Sequence, residues 1–269
     1  PRLWLKFQQG VFAKMPPKKL DRLLGIPILG KIVARKVLKG LGLDQVLQAG
    51  SGSAPIPADL IRWYRRLGLN LYEGYAMTED NSYSHTSNAL FNEPGYVGVP
   101  MPGVQIRISD EGEILIQSPG QMSGYYKRPD LTAASFTDDG FFRTGDLGER
   151  RADGLLKITG RAKELFKTAK GKYVAPAPIE NRLNAHPMIE MSIVSGVGQP
   201  AAYAMVVLAE DLRPKVGDPA VRAGVQDTLG QLLEDVNRQR PDYEHLRMIV
   251  IAAEPWSIEN GCLTPTMKI

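Results

Sequence analysis

Apolar residues in the opening stretch recur at helical spacing. Leu3, Phe7 and Val11 stand four apart, and Ile32, Lys36, Val37 and Leu41 repeat the pattern with a basic outer face. Residues 44–49 read as a short strand running into Gly50-Ser51-Gly52-Ser53-Ala54-Pro55. A helix is predicted over 57–67, burying Leu60, Ile61, Tyr64 and Leu67, with Pro57 in its first turn and Gly68 as its stop. Residues 70–75 form the next strand, and strand–helix–strand is the order of a parallel α/β layer.

From Gly98 onward the period changes to two. Val104, Ile106 and Ile108 alternate, as do Ile114 and Ile116, around an Asp110-Glu111-Gly112 turn, which predicts an antiparallel hairpin. A short helix over 128–136 and strands at 141–143 and 155–158 complete a small β-rich module over 98–160. After Gly160 a hairpin with Gly171 at its tip leads to a helix over 178–185. Two strands, a long helix over 218–238 and a strand over 248–252 follow, making a compact α+β unit. Met191–Ala209 carries no charge, but Gly196, Gly198, Gln199 and Pro200 break it between two β-branched runs, so it reads as two strands rather than a membrane span.

The 269 residues are 43% apolar, which excludes a disordered chain. A single cysteine, Cys262, excludes a disulfide framework and a cysteine-type zinc site, and the three histidines lie too far apart for a metal motif. The net charge of +4 conceals an asymmetry. Residues 1–50 hold ten Lys/Arg and two Asp/Glu, a balance of +8 that leaves −4 on the remainder. The basic residues 14–39 suit a solvated face or peripheral contact with a membrane; with no aromatic interleaving, nucleic acid is not an expected partner.

Several short segments carry candidate chemistry. The Gly-rich turn at 50–54 suits an ordinary tight connection, or an anion or nucleobase at a helix N-terminus. Thr78 and Glu79, just past a predicted strand, offer the hard oxygens that Mg²⁺ shares with phosphates, although a solvated glutamate reads the same way. Asp146, after a glycine, suits a ribose-binding carboxylate or an Asx turn. Gly160–Glu164 reads as a linker or a hinge, and Lys268 closes a polar, turn-rich stretch that can bring a point cation to a developing negative charge.

Taken in order, these segments resemble the adenylate-forming superfamily of acyl-CoA synthetases, luciferases and adenylation domains of peptide synthetases. The resemblance rests on Tyr75-Ala76-Met77-Thr78-Glu79, on Gly124-Tyr125-Tyr126-Lys127-Arg128-Pro129-Asp130 through Arg143-Thr144-Gly145-Asp146, and on Gly160-Arg161-Ala162-Lys163-Glu164. Lys170–Pro176 with Ile179-Glu180, and the Leu-Thr-Pro-Thr-Met-Lys run over 263–268, resemble its long-chain fatty acyl-CoA synthetase branch.

The resemblance implies an α/β and α+β multi-domain fold. Residues 1–97 are expected to be part of a large AMP-binding α/β domain, 98–160 its β-rich, barrel-like subdomain, and 161–269 an α+β lid hinged at 161–163. It implies an ATP-dependent ligase that joins a fatty acid to coenzyme A through an acyl-adenylate with Mg²⁺. The alternatives are a fatty acyl-AMP ligase or an aryl-CoA ligase. The matching residues are Gly52, Ser53, Ala54 and Tyr75 at the adenine, Thr78 at the α-phosphate and Glu79 as Mg²⁺ ligand. Asp146 and Arg161 match ribose contacts, Lys163 the hinge, Gly171 the coenzyme A tunnel and Lys268 the adenylation lysine. Met267 stands where many relatives have glycine, and the upstream Ser/Thr/Gly-rich phosphate loop is absent from this sequence. The chain is therefore expected to be the C-terminal half of a cytoplasmic, membrane-peripheral enzyme and not to turn over alone.

Overall fold

The computed structural model describes residues 2–238 and 240–265, with the backbone alone at Arg2. It divides into two compact units, one ending at Thr159 and the other beginning at Gly160.

In the first unit three helices, α1 (Arg2–Lys14), α2 (Pro17–Leu24) and α3 (Leu29–Gly40), precede β1 (Ala49–Ser51), α4 (Ala58–Arg66) and β2 (Leu71–Tyr75). Leu60, Ile61, Trp63, Tyr64 and Leu67 are all buried along α4 and its C-cap, against Leu20, Ala34, Leu38 and Leu71. Burying side chains of this size contributes roughly 1.5–3 kcal/mol each. Tyr64, fully buried, satisfies its hydroxyl by donating to the Trp4 carbonyl at 2.7 Å. The stripe expected on α3 is corrected: the helix buries Gly30, Ala34 and Leu38, and Ile32 is 60% exposed. Gly30 permits this phase, because a Cβ there would collide with the Leu24 carbonyl. The strand expected over 44–49 also shifts, to Ala49–Ser51, where Ala49, Gly50 and Ser51 pair in parallel with Leu71, Tyr72 and Glu73.

Short strands β3 (His85–Thr86) and β4 (Val99–Pro100) extend that sheet in the order β1-β2-β3-β4. Gly98 brings its backbone against Thr86, leaving no room for a Cβ, at a φ of 87°. A second four-stranded sheet is made by β5 (Gln105–Ile108), β6 (Glu113–Gln117), β7 (Phe142–Arg150) and β8 (Leu156–Arg161), with α5 (Pro129–Ala134) between β6 and β7. Its apolar side, including Ile114, Ile116 and Leu156, packs with Tyr75.

In the second unit, β9 (Phe166–Lys167) and β10 (Tyr173–Val174) form the hairpin around Gly171. Next come α6 (Pro176–Asn184), β11 (Ile189–Ser195), β12 (Ala202–Leu208), α7 (Pro219–Arg238) and β13 (Leu246–Ile251). The uncharged run folds as the antiparallel β11–β12 pair, and β12 pairs in parallel with β13. Ile179 and Leu183 of α6 and Val225, Leu229 and Val236 of α7 share one core with the sheet. On the opposite face Leu263 is buried with Met191 and Val207 and fixes the chain beyond β13 to the sheet. Among the described residues, no helix is long and apolar enough to cross a membrane.

Candidate functional site

Parallel pairing of β1 and β2 sets the geometry. Both strands point the same way, so the 52–54 turn and the 75–79 segment leave the sheet at one edge, the carboxyl end where open α/β sheets bind ligands. Gly52, Ser53 and Ala54 are exposed, and Ser53 holds a left-handed φ of 64°.

Tyr75 ends β2 and is buried. Its hydroxyl donates to Asp146 Oδ2 at 2.7 Å, joining two site residues 71 positions apart. Burial, together with the Asp146 charge, pushes the Tyr75 hydroxyl well above its usual range, so it stays a donor. Asp146 lies on β7 and is itself buried. Its backbone N–H donates to Thr144 Oγ1 at 3.0 Å, and that hydroxyl donates to the Ile114 carbonyl at 2.7 Å. Gly145, at φ 71°, donates its N–H to Glu113 Oε1 at 3.0 Å. The Thr-Gly-Asp run is thus held by β6 on both sides.

After β2 the chain makes a 3-10 turn over Thr78–Asp80. Thr78 is exposed and Glu79 partly so. The Glu79 carboxylate accepts from the Tyr125 hydroxyl at 2.9 Å, and its backbone carbonyl accepts from Met122 N–H at 2.7 Å. The next residue differs: Asp80 is buried, Oδ1 accepting from the N–H groups of Met77 and Tyr83 at 3.1 and 3.3 Å. Asp80 Oδ2 and His85 Nε2 are buried and meet no hydrogen-bond partner among the described residues. Burial raises the Asp80 carboxyl and drives the His85 imidazole down to about 4. Asp80 therefore braces the turn from inside, and of the two neighbouring carboxylates Glu79 is the one that faces outward. Tyr125 and Thr144 lie within motifs visible in the sequence, but only the fold reveals what their hydroxyls hold.

In the second unit Arg161 opens a 3-10 turn over Ala162–Glu164 that contains Lys163; all three of Arg161, Ala162 and Lys163 are exposed. The Arg161 guanidinium lies 3.9 Å from Glu164. Gly171, exposed at φ 76°, donates its N–H to the Thr168 carbonyl at 2.9 Å and closes the turn at the hairpin tip. Lys268 lies outside the described residues.

Residues 9–126 match the family model described as AMP-binding enzyme, and residues 164–259 that of the AMP-binding enzyme C-terminal domain. The long-chain-fatty-acid–CoA ligase FadD15 of Mycobacterium bovis is 35% identical over 254 residues, covering 90% of this chain and 42% of the relative. Long-chain-fatty-acid–CoA ligase 1 of Homo sapiens is 32% identical over 268 residues, covering 88% of this chain and 38% of its own length. The chain thus spans well under half of these relatives. Among solved structures, the A-PCP didomain of carboxylic acid reductase from Segniliparus rugosus in complex with AMP superimposes with a TM-score of 0.72 at 26% identity, over 99% of this chain and 37% of that one. ATP-bound MatB from Rhodopseudomonas palustris gives 0.65 at 29%, over 88% and 46%. With the large-domain model and the C-terminal-domain model matched in order, and relatives aligned along most of its length, this chain belongs to the AMP-binding enzyme family.

Proposed function

We propose that this chain supplies the nucleotide edge and the lid of an ATP-dependent ligase that activates a long-chain fatty acid and passes it to coenzyme A. The observation that carries the reading is the buried Tyr75–Asp146 hydrogen bond beside the carboxyl ends of β1 and β2. It couples an aromatic residue suited to a base with an acceptor suited to ribose hydroxyls. The 52–54 turn and Arg161 serve the same nucleotide.

Two displacements make up the reaction. The fatty acid carboxylate oxygen attacks the α-phosphorus of ATP, the bond to the β-phosphate oxygen breaks, and pyrophosphate leaves. The coenzyme A sulfur, its proton released to solvent, then attacks the acyl carbon, and AMP leaves with the electron pair of the broken C–O bond. Thr78 hydrogen-bonds the α-phosphate, and Lys268 places a point cation on the charge that builds there. Lys163 is the pivot that exchanges Lys268 for the Gly171 tip, whose missing side chain leaves a path for the pantetheine arm.

Glu79 fits Mg²⁺, because this ion takes one or two carboxylates together with substrate phosphates and water. No group of three ligating side chains occurs among the described residues, and the Tyr125 hydroxyl orients the Glu79 carboxylate. When bound, the ion neutralises the polyphosphate charge. Peripheral membrane contact through residues 14–39 belongs to the same reading, since the acyl substrate partitions into lipid.

The test uses the full-length protein. Lys268→Ala should abolish fatty-acid-dependent ATP–pyrophosphate exchange and spare thioester formation from supplied acyl-AMP; equal loss of both steps would overturn the role of Lys268. Exchange with aryl acids only would point to an aryl-CoA ligase. An adenylate that never reaches coenzyme A would point to a fatty acyl-AMP ligase.

A further inference from the structure

The connection between α2 and α3 exposes a cluster of large apolar side chains. Residues 25–29, Gly-Ile-Pro-Ile-Leu, are all exposed, with Ile26 at 43%, Ile28 at 76% and Leu29 at 40%; Ile32, one turn into α3, is 60% exposed. Isolated exposed isoleucines are ordinary, but four large apolar side chains within seven residues at one tip are not. The tip is also built rigidly. Leu29 N–H donates to the Pro27 carbonyl at 2.7 Å, closing a γ-turn with Ile28 at its centre at φ 67° and ψ −58°. That is the rare, strained form of the turn, and a β-branched residue is the least suited to it. Glycine would occupy the position without strain, so local conformation does not account for isoleucine there.

Cations line the outer faces of the two helices that meet at the tip. Arg35, Lys36 and Lys39 share the outer face of α3 with Ile32, Lys31 flanks it, and Lys18 and Arg22 lie on the outer face of α2. None of these six has a carboxylate within 4.0 Å among the described residues, and Asp21 is engaged by Arg66 at 2.7 Å. An apolar wedge with unneutralised cations behind it complements one surface chemistry, an anionic lipid bilayer: acyl chains for the wedge and headgroup phosphates for the cations.

We propose that the α2–α3 tip inserts into an anionic bilayer, with Ile26, Ile28, Leu29 and Ile32 below the headgroups and the surrounding lysines and arginines at their level. This deepens the membrane contact in the function proposed above. Its test needs no catalysis, so a failed vesicle assay and a failed ligase assay are separate results.

The full chain is sedimented with phosphatidylcholine vesicles with and without phosphatidylglycerol, at low and high salt. Binding should be at least tenfold stronger to the anionic vesicles and should weaken with salt. Ile28→Gly, which relieves the strained turn and so keeps the fold, should lower binding at least tenfold with thermal stability retained. In a separate Ile32→Trp variant, lipids brominated along the acyl chain should quench the new fluorophore. Equal binding to neutral vesicles would overturn the proposal. So would anionic binding indifferent to Ile28→Gly with an unquenched fluorophore. Self-association in sedimentation velocity that Ile28→Gly abolishes would assign the tip to a second copy of the chain instead.

Discussion

Glu73 is a carboxyl held where a carboxylate is costly. It sits in the middle of β2, 7% exposed, and burial pushes it up to about 7, although the N–H groups of Ile56 and Gly95 pull the other way. Because the native state binds this proton more tightly than the unfolded chain, stability must fall as pH rises between the ordinary carboxylate value and about 7. At 1.36 kcal/mol per unit, the interval from 4.5 to about 7 corresponds to about 3 kcal/mol in full. Most of it is lost between roughly pH 5 and 8. Glu73→Gln keeps the shape and an acceptor for those N–H groups and removes the titration. The two proteins should therefore be similarly stable near pH 5, and the variant should be more stable near pH 8 by about 2–3 kcal/mol. Asp80, raised by burial, and His85, driven down to about 4, also bend the pH profile, but they do so in both proteins and cancel in the comparison. Trp4 and Trp63 report the unfolding of this unit in urea by fluorescence, in a Trp256→Phe background. Profiles that run parallel within about 0.5 kcal/mol would show that Glu73 is ionised and solvated in the native state, refuting the argument.

Two other substitutions probe the site and its support. Tyr125→Phe removes the donor at 2.9 Å from Glu79 and should raise the Mg²⁺ concentration needed for half-maximal pyrophosphate exchange by several-fold, about 1 kcal/mol, with the rate at saturating Mg²⁺ largely kept. A loss of rate at every Mg²⁺ concentration would mean that Tyr125 only supports packing. Gly98→Ala would place a Cβ against Thr86 at a left-handed φ and should destabilise the first unit by about 2–4 kcal/mol, read as a lower urea midpoint.

Periodicity in the sequence located elements better than it located their partners. The buried side of α4 was legible because Leu60, Ile61, Tyr64 and Leu67 carry a strong apolar stripe, and the β5–β6 and β11–β12 pairs because their turns are punctuated by glycine. On α3 the stripe misled, since the buried face is made of Gly30, Ala34 and Leu38, two of them too small to register as hydrophobic. The two-residue strands β3 and β4 carry no period and exist only through pairing with their neighbours. Motif spacing marked Tyr75, Glu79 and Asp146 as candidates. The bond between Tyr75 and Asp146, and the one between Tyr125 and Glu79, depend on how two sheets come together, which no local pattern records. The split between Glu79, facing outward, and Asp80, sealed within, follows from one turn of 3-10 geometry that a Thr-Glu-Asp tripeptide does not announce.

Leu263 acts as the fixed post of a leash. Packed with Met191 and Val207, it leaves only five residues of chain to Lys268, and a fully extended chain of that length spans at most about 18 Å. That length, with the side chain's own, bounds the distance from the β11–β12 face to the Lys268 ammonium group. Under the role proposed for Lys268, its delivery to a phosphate is then set largely by where this sheet is carried. Inserting glycines between Leu263 and Lys268 in the full-length protein would trade effective concentration for reach, so the proposed role predicts that pyrophosphate exchange falls as the insertion lengthens.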